Sequence, residues 1–382
     1  MVGLERLELL CKSQRTAESM HHQIPFSQFR TTCARLPGVM FYLAASLPFM
    51  LLILLAVGLV FSITKAGATE SATCDGKSLV TALALSAPGK LAEARAEAAA
   101  TKYGSGFLWK VEKPGIDTSW LFGTMHVTDP RVTQLPDAAQ IAFDAAGTVV
   151  IETVDILDPV KAQAALLSKP ELTMFTDGST LTSLLSEDDA KLVEAELSRR
   201  GIPLALVSRM KPWMIAGLVA LPPCELARKS AGAEFLDIKI ANTAKAAGKP
   251  VLGLESIGEQ MAAMADLPME FHIRGLVETI KLADLMPDIM ATMTELYLQG
   301  EIALIMPVIM ASGPDGTEED IDGYAEFEER IVRMRNHVMA ERAAPILEQG
   351  DVFIAVGALH LPGDEGLVSL LETAGYTVSS VQ

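Results

Sequence analysis

Two stretches of this chain end in the same way, and that shared ending constrains the fold more than any other feature. The segment Asp351-Val-Phe-Ile-Ala-Val-Gly-Ala-Leu-His360 reads as a buried strand that stops at Gly357-x-x-His360, before a Pro-Gly turn and two carboxylates. Trp120-Leu-Phe-Gly123-Thr-Met-His126 has the same ending 234 residues earlier. Each stretch delivers an imidazole at a strand end, which is where α/β proteins place their chemistry. The pair suggests two related α/β halves, neither of which makes the site alone.

The rest of the pattern agrees with an α/β class. Aromatic and β-branched runs at residues 107–112 and 119–123, around a Lys-Pro-Gly-Ile-Asp turn, read as a hairpin. A short helix at residues 135–144 leads to a buried strand, Thr148-Val-Val-Ile-Glu152, with a carboxylate at its end. Residues 159–247 are mainly helical, Val251-Leu-Gly-Leu-Glu255 is another short strand, and long helices follow to about residue 310. Eight of the 18 methionines lie between Met261 and Met310, a stripe that reads as adaptable core. An acidic loop at residues 312–323 precedes a helix at residues 327–349, the His360 strand, and a last helix and strand. The expected architecture is a central mixed sheet flanked by helices, with a large helical insertion between the two halves.

Ahead of this domain, residues 39–63 carry no charge between Arg35 and Lys65, which is long enough to span a bilayer. Arg6, Lys12, Arg15, Arg30 and Arg35 precede the run, so the positive-inside rule leaves the amino terminus in the cytoplasm. Ala66-Gly67-Ala68 has the form of a signal-peptidase site, and Met40 is an alternative start. Two outcomes stay open: an inner-membrane anchor with a periplasmic domain, or secretion to the periplasm after cleavage. The chain accordingly divides into a short cytoplasmic segment, 1–38, a transmembrane or signal segment, 39–68, and an exported α/β domain, 69–382. The whole chain carries −17, and because its first 69 residues hold six Lys/Arg against three Glu, the rest is more acidic still, which argues against nucleic-acid binding. Cys74 and Cys224, the two cysteines of the exported part, are expected to form a disulfide, with two buried thiols as the alternative.

A Gly-x-x-His match is weak alone, and its context at two strand ends is what gives it weight. Glycine lets backbone approach closely, and a neutral imidazole can bind a divalent ion or take a proton from water. Glu152 ends a strand 26 residues after His126, and two histidines with a carboxylate form a recurring hydrolytic metal set. Arg335 and Asn336, on the helix before the second motif, can orient a carboxylate or stabilise an oxyanion. Glu255 is a secondary candidate that either joins the site or caps the next helix. His272 and His337 read as structural or exposed. No His-Glu-x-x-His, Cys-x-x-Cys, Gly-x-Ser-x-Gly, P-loop or Gly-x-Gly-x-x-Gly motif is present.

Taken together, Phe107-Leu-Trp-Lys-Val, Leu121-Phe-Gly-Thr-Met-His126, Val149-Val-Ile-Glu152, Lys211-Pro-Trp213, Gly248-Lys-Pro-Val-Leu-Gly-Leu-Glu255, Arg335-Asn336-x-x-Met339-Ala340 and Val356-Gly-Ala-Leu-His360-Leu-Pro-Gly363 resemble the TraB/GumN family. That family is related to the Tiki-type metalloproteases and more distantly to the erythromycin esterases and a haem-binding lipoprotein group. The resemblance implies a site at His126, Glu152, Arg335, Asn336 and His360 and, in the Tiki branch, divalent-metal-dependent proteolysis. The expected function is therefore a hydrolase of a peptide or small ester, in which water is activated either by Mn, Co or Zn held by His126, Glu152 and His360 or by His126 alone as base. The membrane is a partner through the amino-terminal segment if it is uncleaved. The alternative is a non-catalytic exported protein that sequesters a peptide, metal or haem in the same cleft.

Overall fold

The computed structural model describes residues 74–313 and 325–381. The apolar run 39–63, its flanking cleavage signal and most of the acidic loop lie outside the described residues. Among the described residues, no helix is long and apolar enough to cross a membrane.

Six strands form one mixed sheet: β1 (Leu108–Lys113), β2 (Ile116–Thr124), β3 (Thr148–Ile151), β4 (Val251–Gly253), β5 (Val352–Gly357) and β6 (Thr377–Ser380), in the order β4-β3-β5-β2-β1-β6. β1 and β2 form the antiparallel hairpin, closed by a turn in which Gly115 has φ +82°. β6 pairs antiparallel with β1, whereas β4, β3, β5 and β2 run parallel to one another. Parallel strands side by side put all their carboxyl ends on one edge of the sheet, and that edge carries His126, Glu152 and His360.

Side-chain alternation along the strands separates two apolar layers. Phe122, Val149, Ile151, Phe353 and Ala355 face one way, packing on helix α1 (Asp137–Ala145) and on α3 (Leu236–Ala246), which follows α2 (Pro223–Ser230). Leu121, Val150, Val352, Ile354 and Val356 face the other way. They meet Met339, Ala343 and Leu347 of α6 (Met334–Leu347) and Leu367, Val368 and Leu371 of α7 (Leu367–Thr373). Between these layers in sequence come α4 (Ile257–Ala265) and α5 (Met286–Leu298), part of the helical material inserted between β3 and β5. Met261, Met264, Met286, Met290, Met293 and Met310 are all buried there, so the methionine stripe is core.

Two local features stand out beside the sheet. Residues Glu329–Arg333 form a π-helical turn immediately before α6, a widening that is frequent at functional sites. Cys74 and Cys224 are joined by a disulfide with Cα atoms 5.5 Å apart, which fastens the start of the described chain to α2.

Candidate active site

The four parallel strands each bring a group to the common edge: His126 just past β2, Glu152 just past β3, Glu255 just past β4, and Gly357 to His360 at the end of β5. In the β2/β5 pairing, Gly123 lies opposite Val356 and Thr124 opposite Gly357, so the two Gly-x-x-His arms leave the sheet side by side, offset by one residue. Their glycines do different jobs. A Cβ on Gly123 would stand 2.7 Å from Leu361 Cδ1 and 2.9 Å from Ala358 Cα, so this glycine lets the arms touch backbone to backbone. A Cβ on Gly357 would stand 3.2 Å from Glu152 Oε1, 3.5 Å from His360 Cδ2 and 3.9 Å from His126 Cε1. The carboxylate and both imidazoles therefore converge on the Gly357 Cα.

The two histidines are held differently. Asn336 donates from Nδ2 to the Glu365 carbonyl at 2.8 Å, which turns its Oδ1 towards His360 Nδ1 at 2.6 Å. His360 Nδ1 thus carries the proton and Nε2 the lone pair, 3.8 Å from Glu152 Oε1. Burial pushes His360 down, and the neighbouring Arg335 charge adds to this, to about 3, so it is neutral at ordinary pH. His126 Nε2 instead lies 3.2 Å from Asp237 Oδ1, and the ring packs edge-on against Phe235. Burial acts to lower His126, but the Asp237 charge and hydrogen bond, with help from Glu152, outweigh it and raise its pKa above the usual imidazole value.

Arg335 and Asn336 are adjacent on α6 and both are buried in the site. Arg335 donates to Glu152 Oε2 at 2.8 Å and to Glu255 Oε2 at 2.7 Å, and its Nη1 reaches the Ile331 carbonyl in the wide turn at 3.2 Å. Gln260 on α4 bridges the same two carboxylates, at 3.0 and 3.3 Å. Burial pushes the Glu152 carboxyl up, but Arg335, His360, His126 and the Gly357 N–H bring it down to about 2. Of the two roles open to Glu255, the structure places it in the site; the next helix is capped by Ser256 and Glu259. His337 is exposed beside Glu365, and His272 is buried with Nε2 3.0 Å from the Met264 carbonyl.

The sequence does not single out Asp237, in the first turn of α3, or Glu225 on α2. Asp237 is buried, accepts from Thr124 Oγ1 at 2.9 Å, and its Oδ2 has no hydrogen-bond partner. Glu225 is fully buried and accepts from both the N–H and the hydroxyl of Thr128 at 2.8 Å, pinning the turn that follows His126. An acid in a helix's first turn is an ordinary favourable placement, so Asp237 carries no local signal of its partner 111 residues away.

The sequence model of the TraB/PrgY/gumN family matches residues 107–380, from the first strand to the last. The chain belongs to this family. Searches among curated proteins and among solved structures found no match. The family match spans every strand and every side chain of the site just described.

The donor atoms at this edge are largely engaged already. Glu152 Oε1 accepts the Gly357 N–H at 2.7 Å, and its Oε2 is engaged by Arg335 and Gln260. His126 Nε2 is turned to Asp237. Among the described residues, no three His, Cys, Asp or Glu side chains are placed to share one ion. In this arrangement His126, Glu152 and His360 do not fit as a common ligand set.

Proposed function

We propose that the protein is a hydrolase of peptide or small ester bonds, with His126, aligned by Asp237, as the general base that activates water. One observation carries this reading: the two imidazoles meet at Gly357 in opposite states, one charge-supported by a buried carboxylate and one neutral with a lone pair open. Paired groups whose surroundings drive their proton affinities apart are the usual basis for dividing acid and base roles.

With Nε2–H directed at Asp237, His126 has Nδ1 left to take the proton of a water, and the imidazolium that forms is stabilised by the carboxylate. His360 Nε2 holds the water or the leaving group in place by accepting a hydrogen bond. Glu152 is too acidic to serve as the base; together with Glu255 and Arg335 it forms the charged floor that fixes the Gly357 backbone beneath the two rings. The two arms, side by side and offset by one residue, support reading the domain as two related α/β halves, and the disulfide suits an oxidising compartment outside the cytoplasmic membrane.

The test is hydrolysis of a peptide and ester library by the full chain. His126→Ala should abolish turnover while circular dichroism and the thermal midpoint stay near those of the wild type. Stoichiometric retention of a ligand with no turnover of any substrate would replace this reading with that of an exported binding protein.

A further inference from the structure

A cavity of about 50 Å³ lies against the histidine pair, and its walls are chemically one-sided. At one end stand His126, His360 and Arg335. The remainder is closed by Met293 and Tyr297 of α5, Ile305, Ile331 and Val332 of the wide turn, and Leu359 between the glycine and histidine of the second arm. The polar atoms that could wet this wall are already engaged: Tyr297 donates its hydroxyl to the Gly123 carbonyl at 2.8 Å, and Thr124 donates to Asp237. Tyr297 therefore offers the cavity only its ring.

The size is decisive. A cavity of roughly 150 Å³ holds a benzene ring, and a water needs on the order of 10–15 Å³. A space of about 50 Å³ matches a few methyl-sized groups and is roughly a third of what a benzene ring takes, so it favours a small aliphatic group over an aromatic ring or a long charged stem. Val332 and Leu359 also line a second cavity of about 390 Å³ bounded by Glu97, Arg333 and the 362–366 turn, so the same two side chains border a larger space with room for the rest of a chain.

We infer that the small cavity is a side-chain subsite for one aliphatic residue of alanine to valine size, placed beside the bond that His126 and His360 face. This rests on the hydrolase reading for the word substrate, but the subsite can be tested by binding alone. A hydrophobic pocket distinguishes side chains by roughly 10- to 200-fold.

The experiment measures dissociation constants of N-acetyl-valine amide, N-acetyl-phenylalanine amide and N-acetyl-lysine amide for the full chain, beside cleavage of a peptide library varied at each position. The valine amide should bind at least about 10-fold more tightly than the other two. Val332→Phe, which fills the space, should remove that binding, and Leu359→Ala, which enlarges it, should bring the phenylalanine amide to within a few-fold of the valine amide. Equal binding of the three amides, no binding of any, or valine binding indifferent to both substitutions would overturn the subsite. Selective valine binding without cleavage of any library member would leave the subsite and remove the hydrolase; cleavage with no size preference would do the reverse.

Discussion

Asp237 Oδ1 lies 3.2 Å from His126 Nε2, and the same oxygen accepts the Thr124 hydroxyl at 2.9 Å. The carboxylate comes from a helix on one face of the sheet, while Asn336, which sets the His360 tautomer, comes from a helix on the other. The sheet edge is thus a seam at which two layers each orient one imidazole. Four consequences can be measured.

Replacing Gly123 and Gly357 by alanine should separate scaffold from site. A Cβ at 123 meets backbone at 2.9 Å, so Gly123→Ala should lower unfolding free energy by about 1–3 kcal/mol, with the catalytic loss following from displaced arms. At 357 the new methyl meets the Glu152 carboxylate and the His360 ring, so Gly357→Ala should depress turnover more than stability. Denaturant melts beside kcat on the same preparations read both.

Removing Arg335 leaves Glu152 and Glu255 buried beside each other without their cation. Arg335→Met should cost about 3–5 kcal/mol, and adding Glu255→Gln should recover part of it, because one uncompensated charge is then gone. A double-mutant cycle by chemical denaturation measures the recovery; strict additivity would mean that the ion pairs do not couple.

Acid should act on stability through His272. Burial holds its folded pKa at about 4, against an ordinary value near 6.5, so below pH 6.5 the unfolded chain binds the proton more readily. The contribution is fully present above pH 6.5 and is lost as pH falls towards 4, by roughly 3 kcal/mol in all. His272→Gln removes this slope, and the stability gap between wild type and variant should move by that amount in the variant's favour between pH 7 and pH 4. A constant gap would contradict the linkage.

Chelation tests the donor geometry. Because both Glu152 oxygens and His126 Nε2 are already engaged, turnover should survive exhaustive treatment with a divalent chelator. Loss of turnover, restored by Mn, Co or Zn, would require Arg335 to release Glu152 and would return the metal to the mechanism.

Much of this was legible in the sequence because it is written in local pattern. The strands, their carboxyl-end histidines and Glu152 follow from short apolar runs closed by turn residues, and the sheet joins them into one edge. Arg335 and Asn336 could be picked out because their helix leads straight into the His360 strand. What the sequence concealed are partnerships made by packing: Asp237 with His126, Gln260 with Glu152, and Glu225 with Thr128 link residues 97 to 111 positions apart across different elements. No periodicity records which helix lies on which face. The wide turn at Glu329–Arg333 was equally hidden, since it reads as continuous helix.

In the proposed mechanism His126 is the base and Asp237 sets its orientation and charge. The most direct measurement is the pH profile of kcat/KM for wild type and Asp237→Asn on one library-derived substrate. Loss of the carboxylate removes the interactions that raise His126, so the acidic limb should move to lower pH while the plateau falls by about 10²–10⁴-fold. An unchanged limb and plateau in a folded Asp237→Asn protein would contradict the account.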